Sequence, residues 1–236
     1  MSPAPRFGYA QQEQLILNAA AKVIEESSLL NFKMSAIAKE AGISMGSVYK
    51  HVQAKEDVLV ALTVSFLKHR FELFKPYFEL PMTTPEKLLG VHLVSDEVLN
   101  LYSFDKSLEH LMANEAIMQK SSIGWNDKLR QINHQIYQQF RGILQQAIDS
   151  SELELQNEGP DGLTELEFGL WALAVGNAHI ERQTSMAQLP IKSLKSIQIQ
   201  NVFRFINSFK WKTPLNDSSL VTVNKALASL NLVSQQ

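Results

Sequence analysis

The hydrophobic residues of this chain recur almost everywhere at the three- and four-residue intervals of an α-helix. Leu15, Ile16, Ala19, Ala20, Val23 and Ile24 mark one face of a helix predicted over residues 11–27. A short helix over 35–41 stops at Gly42, where a left-handed residue is easiest to place. Another starts after Ser44, a good N-cap, and runs to about His51. A longer helix follows from about Ala54, with Val58, Leu59, Leu62, Phe66 and Phe71 on one side. Pro76, Pro81 and Pro85 then punctuate the chain, which places a domain boundary there and divides residues 1–75 from 76–236.

Beyond that point the pattern stays helical. Leu88, Leu89, Leu93 and Val98 fit one helix, and Leu108, Leu111 and Met112 another. Leu129, Ile132, Ile136, Phe140, Ile143, Leu144 and Ala147 form a strong stripe opposite a Gln-rich face. Residues 157–162, Asn-Glu-Gly-Pro-Asp-Gly, read as a loop. A helix over 164–182 is apolar on most sides, and one over 194–209 carries Phe203, Phe205 and Phe209. A last weak helix covers 220–230. No stretch alternates convincingly as a strand, so the expected fold is all-α.

Composition narrows the chemistry. The 236 residues are 45% hydrophobic, ordinary for a globular core, and contain no Cys. Disulfides, thiolate zinc sites and Cys nucleophiles are excluded, and a reducing cytoplasm is the expected compartment. Residues 1–9 have no apolar segment of the secretory kind. The most apolar stretch, 166–180, is broken by Glu167, Gly169, Gly176, Asn177 and His179 and falls short of the ~20 residues that span a bilayer, so no membrane partner is expected. Net charge is −2, so a nucleic-acid partner requires locally placed cations. Residues 41–55 supply them: Lys50, Lys55 and His51, with no acid among them.

That segment is the informative one. Ile37, Ala38 and Ala41 give a small apolar face that lets a second helix approach closely across the turn at Gly42-Ile43. Ile43 and Val48 plug the gap, which makes a helix-turn-helix. The second helix opens with Met45-Gly46-Ser47, small or flexible residues at an N-terminus whose free N–H groups favour phosphate. Lys55, at the start of the following helix, has a similar set beside it.

The residues Ile37-Ala38, Ala41-Gly42-Ile43-Ser44, Gly46, Tyr49-Lys50-His51-Val52, Lys55-Glu56 and Leu59 resemble the TetR family of bacterial repressors. Two positions depart from the family pattern. Val52 replaces a usual Phe and keeps an apolar plug. Lys33 stands where a capping, phosphate-touching Thr is frequent, so Lys33 retains reach to phosphate while capping passes to another residue such as Ser35. The resemblance implies a three-helix N-terminal DNA-binding domain and a larger C-terminal helical domain that binds an effector and dimerises. It implies a homodimer on a palindromic double-stranded operator, released by a small-molecule effector, with no cofactor. Met45 and Ser47 would face base edges, Gly46 would let the helix come close, and Tyr49, His51 and Lys55, with Lys33, Ser44 and Lys50, would complete the DNA-binding set.

Rival readings have less behind them. Gly42-Ile43-Ser44-Met45-Gly46 matches the Gly-x-Ser-x-Gly elbow of serine hydrolases, but a helix precedes it where a strand is required. No catalytic residue follows from it. His51, His69, His92, His110, His134 and His179 show no metal-ligand spacing. A helical scaffold, or a small-molecule-binding protein that does not bind DNA, fits the C-terminal two thirds equally well. Polar and aromatic residues within the apolar stripes there, His110, Met112, Trp125, Tyr137, Trp171 and Asn177, are candidates to line an effector pocket.

Overall fold

A computed structural model describes residues 8–155, 160–188 and 194–233. The described residues form helices joined by short turns, with a single two-residue strand pair. The chain divides into two compact units, Met1–Arg70 with Asn100–His134, and Phe71–Leu99 with Gln135–Gln236. The expected cut at residues 75/76 runs along the chain, whereas the first unit also takes in residues from beyond it.

In the first unit, α1 (Tyr9–Ser27) packs on α2 (Met34–Glu40), and α2 on α3 (Met45–Tyr49). Ile16, Ala20, Ile37, Val48 and Val52 are completely buried, so the small apolar faces read from the sequence do meet. The turn between α2 and α3 closes as a Schellman motif. Gly42 adopts φ 65°, its N–H donates to Lys39 O, and Ile43 N–H donates to Ala38 O. Lys33 is the N-cap of α2 but makes no side-chain cap bond. Helix α4 (Lys55–Phe78) begins in this unit, which also holds α7 (Asp105–Met112), α8 (Glu115–Lys120) and the start of α9 (Ile123–Asp149).

Helix α4 passes through Pro76 and ends at Phe78, where the sequence suggested a stop at the proline. An interior proline costs a helix roughly 3 kcal/mol. Phe74, Tyr77 and Phe78 are all buried in the core of the second unit, and burial of side chains of this size contributes about 1.5–3 kcal/mol each, which is enough to keep the turn helical.

The second unit also contains α5 (Thr84–Val91), α6 (Asp96–Leu99), α10 (Pro160–Met186), α11 (Leu194–Asn207) and α12 (Ser219–Ser229). Residues 88–98 form two helices instead of one. Ser95 N–H turns to Leu232 O at 3.1 Å, while Ser95 O accepts from Val98 and Leu99 and starts the new helix. The loop expected over 157–162 is shorter than predicted. Residues 157–159 lie outside the described residues, and Pro160 already opens α10, since proline suits a first helical position whose N–H has no partner. Strands β1 (Leu153–Glu154) and β2 (Lys210–Trp211) pair antiparallel and are too short to show alternation in sequence.

Two glycines in this unit sit in different surroundings. A Cβ on Gly90 would lie 1.8 Å from Tyr77 Oη and 2.9 Å from Val223 Cγ1, whereas one on Gly142 in α9 would meet nothing within 4 Å. Tyr77 cannot move freely, because it is fully buried and its hydroxyl donates towards Glu86 and Lys87 carbonyls at 3.3 and 3.2 Å. Gly90→Ala is therefore expected to cost about 1–3 kcal/mol and Gly142→Ala to stabilise by about 0.5–1 kcal/mol in urea unfolding. The reverse order would contradict this packing.

Candidate nucleic-acid interface

Helix α3 has five residues, too few to be stable alone, so its neighbours must hold it. Ser44 is its N-cap, in extended conformation. Its Oγ accepts from Ser47 N–H at 3.1 Å and lies 2.9 Å from Ser47 Oγ, so the cap also orients the Ser47 hydroxyl. At the other end, His51 and Val52 N–H groups both donate to Val48 O.

Around this helix Lys33, Ser44, Gly46, Tyr49, Lys50 and Lys55 are exposed, and Met45 and Ser47 are half-buried. Tyr49 keeps 45% of its surface open, unusual for an aromatic whose only task is packing. A Cβ on Gly46 would meet only Ser44 Oγ, at 3.9 Å, so nothing inside the protein requires glycine there. The Lys55 ammonium lies 5.0 Å from the centroid of the buried Phe32 ring, which steadies its stem while leaving it open to solvent.

His51 is placed differently from the others. It is buried, lies against Tyr9 with ring centroids 4.2 Å apart and planes tilted by 34°, and sets Nε2 3.3 Å from Gln12 Oε1. Burial lowers its pKa; Glu13 acts the other way, and Lys128 and Lys50 add to the lowering. At pH 7 it is a neutral support beneath the surface.

The effector candidates are not gathered in one place. His110, Met112 and Trp125 belong to the first unit, and Tyr137, Trp171 and Asn177 to the second. His110 Nδ1 lies 2.7 Å from Lys106 O on its own helix. Trp125 is buried, and its indole N–H donates to His51 O at 2.8 Å, so it packs under the helix-turn-helix. In the second unit, the Tyr137 hydroxyl accepts from Arg141, whose guanidinium also reaches Glu167 at 2.8 Å. Asn177 O accepts from Gln198, and Trp171 is 62% exposed. Sequence reasoning missed Asp57, which is completely buried and accepts from Gln53 N–H at 2.7 Å and Ser122 N–H at 2.6 Å. An acid in the first turn of a helix is so common that nothing in the sequence marked it.

Residues 16–62, which contain this whole surface apart from its outer supports, match the model of bacterial regulatory proteins of the tetR family. Residues 16–62 are thus a tetR-type N-terminal segment. Its relatives include the fatty acid metabolism regulator protein of Bacillus subtilis strain 168, 27% identical over 139 residues that span 59% of this chain and 69% of that one. A transcriptional regulator of the helix-turn-helix type from Staphylococcus aureus strain USA300 is 28% identical over 130 residues, and the match spans 55% of this chain and 63% of its relative, just under two thirds. Among solved structures, the fold resembles the transcriptional regulator FadR of Bacillus subtilis in complex with stearoyl-CoA, with TM-score 0.57 and 20% identity over 84% of this chain and 99% of that one. A TetR-family regulator from Mesorhizobium loti gives TM-score 0.57 and 15% identity over 86% and 99%. The matched relatives are transcriptional regulators, and residues 16–62 supply this chain with the corresponding N-terminal helix-turn-helix. Among the described residues, no helix is long and apolar enough to cross a membrane.

The lowered pKa of His51 fixes the sign of a pH effect. Folding favours the neutral ring, so the contribution is fully present above about pH 6.5 and is lost as pH falls towards the folded-state value. Urea unfolding at pH 7 and pH 5 is expected to show a larger acid loss for wild type than for His51→Gln, differing by up to about 1.4 kcal/mol per pH unit. Identical losses would show that His51 is not buried neutral.

Proposed function

We propose that this chain is an effector-responsive repressor that binds a palindromic operator as a homodimer. The observation that carries the reading is the set of exposed donors, Tyr49, Lys50 and Lys55, around a capped five-residue helix that presents the bare backbone of Gly46. Tyr49, Lys50, Lys55 and Lys33 hold phosphates, and Ser44 caps the helix that meets the DNA. Met45 and Ser47 face base edges, and Gly46 admits close approach. His51 acts from beneath, through Tyr9 and Gln12. In a two-fold dimer the two copies of α3 enter successive major grooves about 34–36 Å apart.

The dimer is supported by α10. Leu163, Leu166 and Leu170 are buried on one side, while Phe168, Trp171 and Val175 are 53%, 62% and 57% exposed on another. Their spacing makes one stripe, and Ile197 of α11 is 49% exposed as well. An apolar face of this kind is normally covered, and four helices from two copies would bury more than ~2,000 Å² in total. Light scattering at micromolar concentration is expected to give twice the 26.6 kDa chain mass; a particle of single-chain mass would overturn the dimer.

The effector class to test first is a long-chain acyl thioester. The support is that the Bacillus subtilis relative is a fatty acid metabolism regulator and that the similar Bacillus subtilis FadR structure holds stearoyl-CoA. Helix α4 has Lys55 at one end and Phe74, Tyr77 and Phe78 in the core of the second unit at the other, which suits it to report an effector to the DNA surface. Coupling of this sort is about 1–3 kcal/mol, roughly 5–150-fold in operator affinity, and operator must weaken effector binding by the same factor.

Two substitutions test the DNA surface. Lys55→Ala should weaken binding to every duplex and lower the slope of log affinity against log salt by about one. Gly46→Ala should leave the melting temperature equal or higher, since alanine favours helix and its Cβ meets only Ser44 Oγ at ordinary contact distance, yet reduce operator affinity. An unchanged affinity and slope for Lys55→Ala, or full operator binding by Gly46→Ala, would remove these residues from the interface.

A further inference from the structure

The DNA surface is built on a turn, residues 50–54, that joins α3 to α4 and sets Tyr49 and Lys50 against Lys55. Two of its backbone groups are tied to the middle of the chain, one directly and one through Asp57. The Trp125 indole N–H donates to His51 O at 2.8 Å, across a separation of 74 residues. Asp57 accepts Gln53 N–H on Oδ2 at 2.7 Å and Ser122 N–H on Oδ1 at 2.6 Å, 65 residues away. Trp125 and Ser122, the two distant partners, both belong to the start of α9 and the turn before it.

That turn is itself fixed. The Ser121 hydroxyl donates to Asn126 Oδ1 at 2.6 Å, and Asn126 Nδ2 donates to Met118 O at 2.8 Å. Lys128 lies 3.7 Å from the centroid of the Trp125 ring and pairs with Glu13 of α1 at 2.9 and 3.0 Å. Trp125 and Asp57 are buried, so neither bond is diluted by water.

We infer that Trp125 and Asp57 are positioning residues for operator recognition: they clamp the α3–α4 turn to the start of α9 and thereby set the spacing of the phosphate and base contacts. The inference rests on the DNA-binding reading above. A helix-turn-helix of this chain is complete only with residues 118–128, so operator specificity depends on a segment outside the matched residues 16–62. Positioning matters most where several contacts must fit together. Loss of the clamp should therefore weaken specific binding more than the loose electrostatic binding that any duplex receives.

The test uses the full chain and a duplex that wild type selects from a genomic fragment library, with a random-sequence duplex of equal length as comparison. Trp125→Phe keeps an aromatic ring, smaller than the indole, and removes the N–H donor. Its affinity for the selected duplex should fall about tenfold, equivalent to 1.4 kcal/mol, while affinity for the random duplex stays within twofold. Asp57→Asn, which loses one of two acceptor oxygens, should change the ratio in the same direction. Equal falls on both duplexes, following the melting temperature, would mean a purely structural role and overturn the inference, as would unchanged specific binding. If neither variant folds, amide exchange on wild type decides. Gln53 and Ser122 should be protected as strongly as the core of α4, and exchange at loop rates would overturn the clamp. A wild-type chain that selects no duplex at all would instead defeat the DNA-binding reading and this inference with it.

Discussion

The carboxylate of Asp57 is completely buried and shared between the N–H groups of Gln53 and Ser122. A buried carboxylate without such donors is strongly unfavourable, so the two segments that supply them are obliged to stay together. The charge also lies in the first turn of α4, where the helix dipole favours it. Much else in the first unit hangs on this contact. It fixes where α4 begins, and hence where Lys55 stands. It leaves Trp125 close enough to hold His51 O, and so fixes how α3 ends.

From this follows an economical way to make a DNA surface on a chain of net charge −2. The cations proposed for it are few: Lys33, Lys50 and Lys55. Each stands at a helix terminus, Lys33 just before α2, Lys50 ending α3 and Lys55 opening α4. The uncharged residues proposed to shape the approach, Ser44, Gly46 and Tyr49, are exposed beside them. The whole depends on placement more than on bulk charge, which explains why composition alone gives little hint of a nucleic-acid partner.

What the sequence makes legible is local. Gly42 stops one helix and Ser44 starts the next because both effects act within four residues, and Val48 and Val52 fill the gap between them as their spacing requires. The position of His51 in the motif suggests a phosphate ligand. Its burial depends on Tyr9 and Gln12, which no local pattern connects to it. Trp125 looked like a pocket residue for the same reason, since its partner lies 74 residues back. The helix break after Val91 and the passage of α4 through Pro76 were hidden because tertiary contacts, Ser95 with Leu232 and the burial of Phe74, Tyr77 and Phe78, decide them. The effector site was the least legible part. An apolar stripe carries no mark that separates a lining residue from a core residue, and the six candidates fall in two different units.

The central claim is that two copies of this surface read one operator. A hydroxyl-radical footprint of the wild-type chain on a selected duplex tests it most directly. The account predicts two protected patches on one face of the DNA, one helical turn (about 34–36 Å) apart and related by the symmetry of the sequence. A single protected patch, or protection spread evenly along the duplex, would contradict it.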